Sequence, residues 1–152
     1  MKVNSKLLLK ISFLIGVVAD FIVAVNWLLI SLGYEIPSII SGHQSTGANY
    51  QFVVFICSLF MFGWTAILFW GYLQPEERRG LLLITSIMLI ISIVGEIIFF
   101  FELLYSTGFV IGVLLRVALI SKFSFSYFYS KKQSIHTLIE EQCNQKLIRK
   151  EQ

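Results

Sequence analysis

The sequence predicts an all-α integral membrane protein, a four-helix transmembrane bundle in which consecutive helices are antiparallel neighbours. Composition is the first observation: 57% of the 152 residues are hydrophobic and only 14% are charged, unlike an ordinary soluble domain. The second is the presence of four long apolar segments, each near the roughly 20 residues that cross a bilayer core of about 30 Å. The third is the placement of Lys and Arg outside these segments, which predicts that both termini are cytoplasmic.

The first two predicted spans cover residues 7–32 and 51–72. Three lysines lie within the first ten residues, an arrangement that secretory signal peptides share. The apolar segment is too long for a signal peptide and has Asp20 in its middle, so we interpret it as a span. Residues 33–50, "GYEIPSIISGHQSTGANY", contain Pro and three Gly and are predicted to form a loop.

The third and fourth predicted spans cover residues 81–104 and 109–129. The segment "QPEERRG" ends the second span, because its Pro and Gly break a helix and its charges require water. Since this turn is short, the second and third helices are expected to be antiparallel neighbours. The segment "YSTG" links the third helix to the fourth, and these two helices are expected to form a tight hairpin.

The basic residues predict the orientation of the chain. The amino terminus, the "EERRG" turn and the carboxyl tail hold the basic residues outside the spans, whereas the other two loops hold none. Lys and Arg accumulate on the cytoplasmic side of a membrane, and we expect this to be the cell membrane. We divide the chain into a bundle, residues 1–130, and a cytoplasmic amphipathic tail, residues 131–152. The tail is expected to lie on the anionic leaflet or, alternatively, to bind a partner protein.

Ionisable side chains inside the apolar segments are the main candidates for a functional site. Glu96 and Arg116 lie about ten residues before and after the centre of the "YSTG" turn, so a rise of 1.5 Å per residue places them at the same depth. A lone charge at that depth costs at least about 2.5 to 3.5 kcal/mol, which predicts that these two residues form a pair. Glu102 lies nearer the outer surface, where it is either solvated or a second partner for Arg116.

The first helix contributes Asp20, on the same stripe as Gly16 and Ala24. Small residues at this spacing let another helix approach closely, and Asp20 has no obvious cationic partner. Asn26 points elsewhere and lies closer to the outer surface. The predicted interior polar cluster consists of Asp20, Glu96 and Arg116, joined by Glu102 and Asn26.

The favoured function is a small transport or permeation component in which this cluster binds a proton, a cation or a small polar solute. Four helices rarely enclose a path alone, so we expect a homo-oligomer or a larger membrane complex. The alternative is a non-catalytic accessory or assembly subunit, in which the cluster is a structural salt-bridge network. A membrane-embedded enzyme ranks third, because no nucleophile and base are recognisably paired.

Other function classes are not indicated. The net charge of +3 does not predict nucleic-acid binding, since the basic residues flank apolar segments and form no stripe with aromatic residues. Cys57 and Cys143 lie in different predicted environments, so no disulfide is expected. His43 and His136 lie at opposite ends of the predicted topology, so neither haem nor a metal site is expected. We predict no cofactor; the lipid bilayer is the expected surrounding.

Overall fold

The computed structural model of the chain describes residues 5–36, 47–99 and 107–151, which contain four α-helices and no strand. These helices are α1 (Ser5–Ser31), α2 (Ala48–Leu73), α3 (Gly80–Phe99) and α4 (Thr107–Glu151). Each holds a segment long and apolar enough to cross a membrane, and in α4 this segment is Val110–Ile135. The predicted all-α architecture with four long apolar helices is confirmed, and it indicates a membrane protein.

Local chemistry explains where the helices end. Gly33 follows α1 with a φ of +87°, a conformation that favours glycine and ends many helices. Its N–H donates to the carbonyl of Ile30 at 2.9 Å, which satisfies one of the last carbonyl groups of α1. Pro75 follows α2 and cannot continue it, because a proline ring clashes with the preceding turn and has no N–H to donate.

α1 and α2 pack against each other along most of their length and run antiparallel. In successive contacts the residue number increases along α1 and decreases along α2. The pairs are Phe13 with Gly71, Gly16 with Leu68, and Phe21 with Phe62. The approach is closest at Gly71, where an added Cβ atom would lie 2.5 Å from Cε1 of Phe13. Any larger residue at this position would therefore force the Phe13 ring to move.

α4 packs against both α1 and α3, whereas α2 and α3 share no comparable packing among the described residues. This corrects the expectation that α2 and α3 are neighbours along their length. A short turn holds only the facing ends of two helices together. Close packing along the rest of two helices depends on small residues between them. α1 and α2 have such residues on the faces that pack together.

One residue set from all four helices forms the hydrophobic core: Leu9, Phe13, Leu68, Leu82 and Phe123. The core lies where α1 begins, α2 ends and α3 begins, at the middle of the apolar segment of α4. Two buried hydroxyl groups near it are bonded within their own helix, since the side-chain oxygens of Thr85 and Ser86 donate to carbonyls four residues earlier at 2.8 Å. These hydroxyls therefore need no partner on another helix.

The opposite half of the molecule is more open. No residue of α3 after Ser86 is buried, and none is buried in α4 between residues 110 and 122. α1 and α2 stay packed in this half, where Ala24, Asn26 and Ser58 are buried. The four helices thus share a core at one end and form two separate helix pairs, α1 with α2 and α3 with α4, at the other.

α4 continues without a break through the predicted boundary between residues 130 and 131. The reason is local, because the chain contains no Gly or Pro after Gly112 and so nothing that breaks a helix. About 24 Å of helix follows Ile135 at 1.5 Å per residue. The division into a bundle and a separate tail stays a prediction, and most side chains of the predicted amphipathic face lie outside those that the structure describes.

Candidate functional site

Asp20 lies on the face of α1 that points into the bundle. It is four residues from Gly16 and four from Ala24, both of which are buried, and residues at this spacing share a helix face. Asp20 is nevertheless only half-buried. It has no hydrogen bond and no ion pair with any side chain that the structure describes. The carboxylate is therefore available to a ligand.

Glu96 and Arg116 also lie on the inward faces of their helices. Glu96 follows the buried Leu82 by fourteen residues, which is close to four helical turns, and Arg116 precedes the buried Phe123 by seven residues, close to two turns. Both residues therefore continue the stripes that build the core. They lie in the half of the bundle where the core has ended.

Glu96 and Arg116 meet as the sequence predicts. Nη1 of Arg116 donates to Oε1 of Glu96 at 2.6 Å and to Oγ of Ser92 at 3.1 Å. Oγ of Ser92 in turn donates to Oε1 of Glu96 at 3.4 Å. The second carboxylate oxygen of Glu96, Oε2, is buried with no hydrogen-bond partner in the described part of the chain. One of the two carboxylate oxygens of Glu96 is thus without a hydrogen bond to the described residues.

The level of Asp20 relative to this pair follows from packing contacts. An added Cβ atom on Gly16 would lie 3.1 Å from Cζ of Phe123, so these two residues face each other. α1 and α4 are antiparallel, and Asp20 therefore lies at the level of Leu119. Arg116 is three residues further along, or about 4.5 Å along the helix axis. We call Asp20, Ser92, Glu96 and Arg116 the interior charged site.

A buried charged cluster is not present among the described residues, and that part of the prediction is wrong. The Arg116 side chain is 31% exposed and that of Glu96 is 28% exposed. Asp20 has no ion pair with Arg116, although they lie at similar levels. The physical reason is that the helix pairs are not packed against each other at this level. The charged residues face inward, but they face an open region.

The two other predicted site residues do not join this site. Glu102 lies outside the described residues. Asn26 is only 7% exposed and its Nδ2 has no hydrogen-bond partner among the described residues. It lies in the half of α1 that packs against α2, six residues beyond Asp20, and therefore on another face of the helix. Its role as a ligand residue stays a prediction.

Sequence reasoning did not assign two residues that make notable polar contacts. Ser92 links Arg116 to Glu96, and its position one turn before Glu96 is the available signal. Arg78 is the second residue. Its guanidinium carbon lies 3.4 Å from the centre of the Trp70 ring, a contact between residues eight positions apart that no helical spacing predicts.

No group of three or more His, Cys, Asp or Glu that could hold a metal ion occurs within the described ranges. Comparison of the chain with models of protein families, with curated proteins and with solved structures gives no match. The functional argument therefore depends on the geometry of the interior charged site.

Proposed function

We propose that this chain is a small transport or permeation component of the cell membrane that binds a proton or a small cation at Asp20. The observation that carries the proposal is the position of Asp20 on an inward-facing stripe just beyond the shared core, half-buried and without a partner among the residues that the structure describes. An ionisable group inside an apolar segment is costly and is retained mainly where it has a function. Because Arg116 is bonded to Glu96, the interior charged site keeps one carboxylate in excess.

The proposed orientation has both termini in the cytoplasm. Among the described residues, Arg78, Arg79, Lys131 and Lys132 lie at the end where α2 ends and α4 leaves its apolar segment, and Glu35 is at the opposite end. The excess of basic residues at one end supports a cytoplasmic location for that end. The open half of the bundle, with the interior charged site, then faces the outside.

Ion flux into liposomes tests the proposal. Purified protein is reconstituted into vesicles that contain a pH-sensitive dye, and a potassium diffusion potential drives proton uptake. We expect Asp20→Asn to abolish uptake and Asp20→Glu to retain part of it. Glu35→Gln is the matched control, because it removes an exposed carboxylate at the end of α1 and should leave uptake unchanged. Thermal unfolding in detergent should be similar for all variants.

Two results would overturn the proposal. One is uptake of protons and of radioactive sodium by the wild-type protein that equals the rate in vesicles without protein. The other is normal uptake of the transported ion by Asp20→Asn. Either result would show that Asp20 is not part of an ion path.

An accessory or assembly role is the second candidate, and the length of α4 favours it. This helix extends to Glu151, well beyond the apolar segment that ends at Ile135, and is long enough to bind a partner outside the membrane. A partner bound there should copurify with the full chain and be lost when residues 136–152 are deleted. The deletion should leave the thermal stability of the bundle unchanged, since no side chain that the structure describes after Ser130 is buried.

A further inference from the structure

A second feature of the molecule lies at the end that holds most of the basic residues, on the outer surface of α2. The guanidinium of Arg78 stacks on the ring of Trp70, with its carbon 3.4 Å from the ring centre. Its Nη1 also donates to the backbone carbonyl of Trp70 at 2.6 Å. These contacts hold the side chain in one position. They do not neutralise its positive charge, because both partners are uncharged.

No carboxylate of the described residues is paired with Arg78. Glu76 and Glu77 are near in sequence, but both are exposed and neither is joined to it. A guanidinium presents a planar set of donors that matches the oxygens of a phosphate group. Arg78 is therefore a fixed cation that an anionic group can approach.

The exposed surface of α2 beside Arg78 is apolar and formed partly by small residues. Trp70 is 53% exposed, and Ala66 and Gly63 lie on the same face of α2, one and two turns further from the turn at Arg78. An added Cβ atom on Gly63 would meet nothing within 4 Å. Because Ala and Gly lack bulky side chains, we expect this exposed face to be low between the Trp70 ring and the exposed Leu59, and we call this stretch the trough.

The cation, the aromatic ring and the apolar trough follow one another in the same order as the phosphate group and the acyl chain of a phospholipid. We propose that Arg78 and Trp70 bind an anionic glycerophospholipid, with its phosphate group at the guanidinium and one acyl chain in the trough of Ala66 and Gly63. Trp residues sit at the level of lipid headgroups, which is where Arg78 and Trp70 would place the phosphate. Inorganic phosphate would use only the guanidinium and would leave the trough unoccupied.

Other basic residues at the same end add positive charge to the surrounding surface. Arg79 donates to Oγ of Ser134 at 2.8 Å, and Nζ of Lys10 lies 5.5 Å from the centre of the Tyr72 ring. Both keep their charge, since their partners in these contacts are neutral. They attract anionic lipid to this whole surface, whereas Arg78 lies on the Trp70 ring itself, and one cation at a lipid headgroup increases the affinity for anionic lipid by about fivefold.

Quenching of Trp70 fluorescence by brominated lipids tests this assignment. The variant with Trp27→Phe and Trp64→Phe retains Trp70 as its single tryptophan. We expect phosphatidylglycerol with brominated acyl chains to quench it at about one fifth of the concentration that brominated phosphatidylcholine needs. Arg78→Gln should remove this preference. Lys132→Gln is the matched control, because it removes one positive charge at the same end but away from Trp70, and it should keep most of the preference.

Two further measurements, competition by inorganic phosphate and native mass spectrometry, make the outcome decisive. Equal quenching by the two lipids, or an unchanged preference in Arg78→Gln, would overturn the proposal. Loss of the preference on addition of inorganic phosphate, beyond the effect of sodium chloride at equal ionic strength, would show a phosphate site and not a lipid site. If the double tryptophan variant does not fold, native mass spectrometry of the wild-type and Arg78→Gln proteins gives the same comparison, and it should show fewer phosphatidylglycerol molecules retained by Arg78→Gln.

Discussion

Gly71→Ala is the substitution whose effect follows most directly from the packing of α1 on α2. The new Cβ atom would lie 2.5 Å from Cε1 and 2.9 Å from Cζ of Phe13, whereas carbon atoms in contact are normally about 3.5 to 4.0 Å apart. The ring would have to move by about 1 Å. Phe13 is completely buried among Leu9, Leu68, Leu82 and Phe123, so it has no free space to move into.

The expected magnitude comes from comparison with a second glycine of the same helix. Added methyl groups in a packed core cost typically about 1 to 3 kcal/mol. Replacing Gly by Ala inside a helix also contributes a stabilisation of about 0.5 to 1 kcal/mol. Gly63→Ala should show only the stabilisation from replacing Gly by Ala, because nothing lies within 4 Å of its new Cβ atom. The two variants should therefore differ by about 1 to 3 kcal/mol in the free energy of unfolding.

The assay is denaturation in mixed micelles of dodecyl maltoside and sodium dodecyl sulfate, followed by circular dichroism. Phe13→Leu removes the part of the ring that the new methyl group meets, so Gly71→Ala should cost less in a Phe13→Leu background. Equal stabilities of Gly71→Ala and Gly63→Ala would refute the reasoning. So would a cost of Gly71→Ala that is the same with Phe or Leu at position 13.

The same assay checks two further predictions. Glu96→Gln should destabilise the protein by less than the about 3 to 5 kcal/mol that is typical of a broken buried pair, since the Glu96 side chain is 28% exposed. Arg116→Leu in the Glu96→Gln chain should recover part of that loss, and a further loss would contradict the pairing. Asn26→Leu should leave stability unchanged or raise it by about 1 kcal/mol, because Nδ2 of Asn26 is buried without a partner among the described residues. A marked loss of stability in Asn26→Leu would instead indicate a bonded amide at this position.

Much of the fold is predictable because membrane helices have a strong local signal. The predicted first span, residues 7–32, and second span, residues 51–72, agree with α1 and α2 within three residues at each end. The continuation of α4 beyond the predicted end of the fourth span has a local explanation as well. Hydropathy falls near residue 129, but a helix ends where its backbone is interrupted, and residues 113–151 contain neither Gly nor Pro.

The candidate site was predictable in part. The contact between Glu96 and Arg116 follows from counting residues on each side of a turn, since helical rise is constant. The openness of the region around them does not follow from such a count. It depends on how far apart the helix pairs lie, and this distance is determined by side chains distant in the sequence, such as Phe13 and Phe123 in the core. The contact of Arg78 with Trp70 also depends on the path of the chain after α2.

The sequence by itself determined that the chain forms four long apolar helices, that three ionisable residues lie on their inward faces, and that Glu96 and Arg116 share one level. These properties depend on hydropathy and helical periodicity, which are local. Only the tertiary structure decided that α4 packs between α1 and α3, that the shared core occupies one half of the bundle, and that Asp20 has no ionic partner among the described residues. Lateral distances between helices depend on the volumes of side chains from all four segments together, and no single segment contains that information.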